Sequence, residues 1–209
     1  VLTEEDKQYW GALPNISVIP NSRSFSTSNP SDLTHRIVIA VGRYNYQKDF
    51  ESLLEIWSMT EKQDWKLWIV GDGEERDRLL HKIISLNLQD SVILGKAEVD
   101  MQHVYQSASI LALSSRFEGL PMVLLEAQSM GLPIVSYACK CGPRDVITDG
   151  VDGFLIEQGD KATFADKLSL LISRQDLREQ MGSAAYSASD RFDEFNIMSQ
   201  WDRLFKELL

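Results

Sequence analysis

Ser114–Gly131 reads SSRFEGLPMVLLEAQSMG. It has the form of a strand end, a tight turn at Glu118 and Gly119, and a helix. Pro121 suits the first helical position, Gly131 suits the position just past the last, and Pro133 prevents the helix from resuming. Met122, Val123, Leu124, Leu125 and Ala127 make most of the helix surface apolar, so it is expected against a sheet rather than in water. Glu126 sits in its middle and is the sole charge between Glu118 and Lys140. A carboxylate in such surroundings is costly unless it holds a cation, a set of donors or ligand hydroxyls.

Gly119 and Pro121 make Glu118 a turn residue, with Glu126 one to two helical turns further on. The amides of the helix start lie between the two acids and form a natural anion site. Carboxylate, oriented amides and carboxylate suit a ligand with hydroxyls at both ends and phosphate between. A nucleotide sugar is built that way.

From Arg36 onward the chain alternates strand and helix patterns. Strands are expected at Ile37–Val41, Lys66–Val70, Val92–Leu94, Ile110–Leu113 and Ile134–Tyr137, with a short sixth at Gly153–Ile156. Several are continuous apolar runs, as in parallel strands covered on both faces. Helical faces follow: Phe50, Leu53, Leu54 and Trp57 after an N-cap at Asp49; Leu79, Leu80, Ile83 and Ile84; and a short helix with Val104 and Tyr105. The fold class is α/β, a doubly wound, Rossmann-like parallel sheet with right-handed crossovers, whose ligands bind beyond the carboxyl ends of the strands. The turns after Val41, Val70, Leu94 and Leu113 then share one rim.

The flanks read differently. Thr3 before Glu4, Glu5 and Asp6 is a helix start, and Ile16–Asn21 has the pattern of a short strand halted by Pro20. Ser22–Ser31, rich in Ser, Asn and Pro, reads as a linker. Ala162–Ser189 reads as two helices. Phe192–Leu209 carries Phe195, Met198, Trp201, Leu204, Phe205 and Leu208 at helical spacing. Residues 1–25 are taken as the remnant of a preceding domain and linker, 26–190 as the sheet domain, and 191–209 as a terminal helix.

The 209 residues are 44% hydrophobic with five Trp, enough for one substantial core. Asp and Glu outnumber Lys and Arg 31 to 21, a net −10 that disfavours a nucleic-acid surface. Any phosphate site must therefore use locally placed cations and amides. No apolar run approaches membrane-span length. Cys139 and Cys141 are too close for an ordinary disulfide, and nothing completes a zinc site, so no metal is expected and a reducing cytoplasm is. A dinucleotide reading needs G-x-G-x-x-G after the first strand. That turn has only Gly42, and Gly71-Asp72-Gly73 follows a later strand without a third Gly.

Four blocks together, VGRYNYQKDF, IVGDGEERDRL, SSRFEGLPMVLLEA and GPRDVITDGVDGFLI, carry a family resemblance. With Glu118 and Glu126 as its E-x7-E signature, the chain resembles the C-terminal, donor-binding half of family 4 retaining glycosyltransferases, also called glycosyl transferases group 1, which have the GT-B fold. The resemblance covers roughly Arg36 to Ile156. It implies transfer of a sugar from a nucleoside-diphosphate sugar, a UDP-sugar first, to an acceptor hydroxyl without a metal or other cofactor. It also implies polysaccharide or glycoconjugate synthesis in the cytoplasm or at the inner membrane face. An N-terminal acceptor domain of the same chain would be the partner and would make any peripheral membrane contact. The terminal helix would cross back to it, while the plainer reading packs that helix on its own domain. The isolated domain is expected to bind nucleotide weakly without turnover.

The resemblance also assigns roles. Arg43 and Lys48 hold the donor diphosphate, and with Glu118 they form the catalytic set. Glu118 lies beside the donor sugar; its plainer role is a carboxylate favoured by the helix start. Glu126 holds the ribose hydroxyls, or else is a buried structural acid. Relatives commonly have Gly where this chain has Pro121, which lacks an N–H, so phosphate donation falls to Gly119, Leu120, Met122 and Val123. Lys96, near the expected base position, is a weaker candidate equally readable as a solvated lysine. Arg144 of Gly142-Pro143-Arg144-Asp145 reads as structural. Two rival readings remain: a non-catalytic nucleotide-sugar-binding module, and a GT-B-type sugar-nucleotide epimerase.

Overall fold

A computed structural model describes residues 1–13, 15–26, 28–97 and 100–208. The strands are β1 (Ile37–Val41), β2 (Lys66–Val70), β3 (Val92–Leu94), β4 (Ile110–Leu113), β5 (Ile134–Tyr137) and β6 (Gly153–Ile156). All pair in parallel, in the order β3-β2-β1-β4-β5-β6. The order reverses between β1 and β4, where Val38 pairs with Ile110 and Ile39 with Leu111. A crevice opens at such a reversal because the connections leaving the two strands run to opposite faces of the sheet.

Strand alternation divides the core into two layers. Val38, Ala40, Ile110, Ala112 and Val135 face one side, against Leu53, Leu54 and Trp57 of α2 (Phe50–Met59), Leu79 of α3 (Arg76–Ser85), and Phe164 and Leu168 of α7 (Lys161–Ser173). Ile39, Leu111, Leu113 and Ile134 face the other side. There they meet Val104 and Tyr105 of α4 (Met101–Gln106) and Leu124, Leu125 and Ala127 of α5 (Met122–Ser129). The remaining helices are α1 (Glu4–Tyr9), α6 (Pro143–Val146), α8 (Gln175–Ala188) and α9 (Glu194–Leu208), with a 3-10 turn at Ser189–Phe192 before the last.

The sequence patterns locate all six strands, with three local corrections. Ile16–Asn21 forms no strand, because the backbone beside it is Val1, whose carbonyl accepts from Ile19 N–H and whose amino group donates to Ser17 O. Pro121 is the N-cap of α5 rather than its first residue. Its ψ of 108° is extended, and its carbonyl closes the first turn by accepting from Leu124 N–H at 2.9 Å. Asp49 occupies the N-cap position of α2 but caps no amide, since its φ of 49° turns the carboxylate toward Ser52 and Arg116.

The segment read as a linker is pinned along its length. Arg23 pairs with Asp193 at 2.9 Å, and Ser31 Oγ donates to Ala108 O at 2.6 Å. Thr27 within it, and Leu209 at the chain end, lie outside the described residues. Of the residues of α9 only Ile197 is buried. Trp201, Leu204 and Leu208 line an apolar groove of about 540 Å3 with Val1, Leu2, Trp10 and Ile19, while Phe195 remains 78% exposed.

Candidate active site

Two loops leave the C-terminal ends of β1 and β4 side by side and are fastened together. Arg116 N–H donates to Gln47 O at 2.8 Å, and Ser114 Oγ to Lys48 O at 2.9 Å. The Arg116 guanidinium pairs with Asp49 at 2.8 Å and lies 4.3 Å above the Tyr46 ring. Gln47 Nε2 donates to Phe117 O at 3.1 Å and reaches Glu118 Oε2 at 3.3 Å. Between the fastened loops Lys48 Nζ meets Glu118 Oε1 at 2.7 Å, with side chains only 14% and 7% exposed. Lys48 reaches this point by folding over Gly42, where a Cβ would lie 2.7 Å from its Cε.

Arg43, on the same loop, is exposed and has no hydrogen-bond or ion-pair partner among the described residues. It lines a cavity of about 290 Å3 with Val41, Gly42, Gly71, Asp72, Ala97 and Met101. Lys96 is exposed and likewise without a described partner; Ala97, rather than Lys96, contributes to that wall. Tyr44 buttresses the corner: it is fully buried, and its one hydroxyl proton is shared between Ile69 O at 3.0 Å and Gly95 O. Burial pushes that phenol up to about 12.

At the start of α5 the amides of Gly119, Leu120, Met122 and Val123 have no backbone partner among the described residues, whereas Glu118 N–H is spent on Lys140 O at 2.9 Å. Those four groups are the ones the sequence reading offers as anion donors, and their hydrogen-bonding capacity at a helix start is open to a ligand. The turn is held by Gly142, whose φ of +98° suits glycine and whose Cβ would lie 2.3 Å from Pro121 Cδ. Arg144, read as structural, pairs with Glu5 at 3.6 Å. Glu5 also accepts from Cys141 N–H at 2.9 Å.

Glu126 is not an orphan. Its Oε1 accepts from Ser24 Oγ and its Oε2 from Tyr105 OH, each at 2.8 Å. Neither partner is signalled by spacing: Ser24 lies in an irregular segment, and Tyr105 looks like an ordinary core residue of a short helix. Gln47 and Tyr44 lie inside the quoted VGRYNYQKDF block, yet nothing in their residue type marks their contacts. The three histidines lie in helices or beside β1, away from these loops in sequence, and no group of three or more His, Cys, Asp or Glu is placed to hold a metal ion among the described residues. A cavity of about 600 Å3 lies next to Glu126 through Ser24 and Phe25 and is lined further by Arg23, Ser26 and Asp193 and by Glu194, Phe195 and Met198 of α9.

A six-stranded parallel sheet reversing at β1 and β4 is the architecture of one Rossmann-like half of the GT-B fold, and here cations, two acids and amides without a backbone partner among the described residues lie at the reversal. The chain matches the family described as glycosyl transferases group 1 over residues 21–188 and belongs to that family. It is 37% identical over 212 residues to the amylovoran biosynthesis glycosyltransferase AmsD of Erwinia amylovora, covering 97% of this chain and 60% of that protein. It is 35% identical over 177 residues to the lipopolysaccharide 1,6-galactosyltransferase of Escherichia coli, covering 82% of this chain and 48% of that one. Among solved structures, a TarM variant of S. aureus in complex with UDP and other ligands superposes with a TM-score of 0.88 at 27% identity, over 98% of this chain and 43% of that one. The chain thus spans at most about 60% of the length of these relatives. No helix among the described residues is long and apolar enough to cross a membrane.

Proposed function

We propose that this chain supplies the donor-binding half of a retaining, metal-independent glycosyltransferase that takes a nucleoside-diphosphate sugar, a UDP-sugar first, and delivers the sugar to an acceptor hydroxyl of a surface polysaccharide or glycoconjugate. The observation that carries the reading is the convergence of Lys48, Glu118 and the free α5 amides at one sheet reversal. The functions of the relatives, lipopolysaccharide galactosyl transfer and amylovoran synthesis, and the UDP in the TarM complex support the donor class and the pathway type.

In this reading Arg43 and Lys48 take the diphosphate, together with the amides of Gly119, Leu120, Met122 and Val123. Cleavage of the bond between the anomeric carbon and the phosphate oxygen leaves the electron pair on that oxygen. Fixed cations and amide dipoles there stabilise the transition state more than the ground state. The acceptor oxygen bonds to the anomeric carbon from the face the phosphate leaves, and its proton passes to the departing phosphate oxygen. Glu118 accepts from the donor sugar hydroxyls, and Glu126 from the ribose hydroxyls. The two cations supply the charge neutralisation for which other transferases use a metal. Acceptor contacts come from an N-terminal half, so the present chain alone binds nucleotide and does not turn over.

The test is a nucleotide-sugar panel presented to the full chain, with hydrolysis and transfer monitored in the presence and absence of a chelator. A UDP-sugar consumed equally with chelator, and a product whose anomeric coupling matches the donor, is expected. Epimerised nucleotide sugar as product, or inverted configuration, would overturn the reading.

A further inference from the structure

Tyr105 is fully buried, and the hydrogen bond its hydroxyl makes among the described residues goes to Glu126 Oε2. Phe25 tilts over its ring at a centroid distance of 6.1 Å, and Val104, Leu124 and Leu125 share its core layer. A Phe would fill the same space without the cost of burying a hydroxyl, so the phenol is explained by its acceptor. Burial first, and the Glu126 charge second, hold the phenol well above its ordinary 10, so it stays a donor throughout the neutral range.

The other oxygen of Glu126 has a different kind of partner. Ser24 is exposed and sits on irregular backbone, so its hydrogen bond to Glu126 Oε1 lies at a surface open to solvent. One carboxylate oxygen is therefore held by an immobile ring and the other by a group that solvent or a ligand can replace. An ionised carboxylate has about four acceptor positions. Tyr105 keeps one position on Oε2, so a vicinal diol that bridges both oxygens must take over the outward position on Oε1 that Ser24 holds.

We propose that Tyr105 is a positioning residue that fixes the plane of the Glu126 carboxylate, and that Ser24 is the exchangeable occupant a ribose diol displaces. The proposal rests on the reading of Glu126 given under Proposed function. It deepens that reading by naming what makes the acid selective for ribose over deoxyribose.

The experiment compares binding of UDP and 2′-deoxy-UDP to the full chain by calorimetry, in wild type, Tyr105→Phe and Ser24→Ala. Wild type is expected to prefer UDP by about tenfold or more, the scale of a hydrogen bond to a charged group. Tyr105→Phe should reduce that preference below about threefold, with the loss falling on UDP and 2′-deoxy-UDP affinity changing less than about twofold. Ser24→Ala should keep the preference and leave UDP binding equal or up to about fivefold tighter, because no competing donor remains. If Tyr105→Phe weakens both nucleotides alike, or Ser24→Ala abolishes the preference, the inference is overturned while the ribose assignment stands. If wild type itself shows no preference, the assignment of Glu126 falls and takes the inference with it. Tyr105→Phe retains the buried ring, thermal melting confirms its fold, and Ser24→Ala at an exposed position is an independent arm.

Discussion

Lys48 Nζ lies 2.7 Å from Glu118 Oε1, and both side chains are largely shielded from water. On the proposed roles, the ammonium assigned to the diphosphate is thus already compensated by the acid assigned to the sugar. A ligand bringing only a diphosphate must share Lys48 with Glu118, whereas a complete sugar nucleotide also offers Glu118 new donors. Glu118→Gln removes the competing charge but keeps an acceptor for Lys48. UDP is expected to bind about threefold to tenfold tighter to this variant, from relief of one charge interaction at the rim. Transfer by the full chain is expected to fall about a hundredfold, the scale of one transition-state contact. Titration calorimetry and turnover measure the two effects; weaker UDP binding with normal turnover would refute the account.

Gly142 is the second point of leverage. Its backbone sits at φ +98°, and an added Cβ would meet Pro121 Cδ at 2.3 Å and Gly119 O at 2.9 Å. Gly142→Ala therefore combines left-handed strain with overlap against the turn that presents the α5 amides. A loss of about 2–4 kcal/mol in unfolding free energy is expected. UDP affinity should fall as well, because Gly119 and Leu120 must shift. Denaturant unfolding that matches wild type would show that the turn gives way without cost.

The sheet was legible because each strand is a short apolar run between turn residues, a signal of composition and length that survives without neighbours. Local rules put Pro121 first in its helix, but it falls one residue before the start, and Asp49 holds its N-cap position without capping because Arg116 and Ser52 take its carboxylate. Ile16–Asn21 has strand character in its side chains, but a strand needs a ladder, and among the described residues its backbone hydrogen bonds go to Val1. At the site, the motifs marked Arg43, Lys48, Glu118 and the α5 amides as candidates; the fold pairs Lys48 with Glu118, and Arg43 lines a neighbouring cavity. Tyr105 and Ser24 were not marked, since a fully buried tyrosine and an exposed serine acquire meaning only when the fold sets them on the two oxygens of Glu126. The apolar stripe of α9 was readable from its spacing, but spacing carries no information on which surface covers it.

Away from the crevice, Glu55 bridges three helices by pairing with Lys161 of α7 and Lys82 of α3. The Lys161 and Lys82 hydrogen bonds hold its carboxyl below the ordinary 4.5. A carboxyl whose folded value is depressed contributes stability above its unfolded value and loses it as pH falls through the folded value. Glu55→Gln should thus lower the melting temperature at pH 7 by a few degrees or less, since partly exposed pairs are worth under about 1 kcal/mol. The difference from wild type should shrink as pH falls below 4.5. A difference that grows on acidification would exclude this linkage.

Cys139 and Cys141 flank Lys140, which pairs with Phe117, and both are buried free thiols. Burial, with the Glu118 charge next, pushes the Cys139 thiol up to about 12, and burial also raises Cys141. At pH 8 the Cys139 thiolate is then about one part in ten thousand, and nucleophilicity follows the thiolate. The native chain should resist a thiol-specific chromogenic reagent for hours at pH 8, while both cysteines react at once in denaturant. Because the Glu118 charge is part of the cause, Glu118→Gln should speed native Cys139 labelling modestly and leave Cys141 unchanged. Fast labelling of native wild-type Cys139, located by mass spectrometry, would mean the loop opens far more readily than its packing against Gly119 and Pro121 implies.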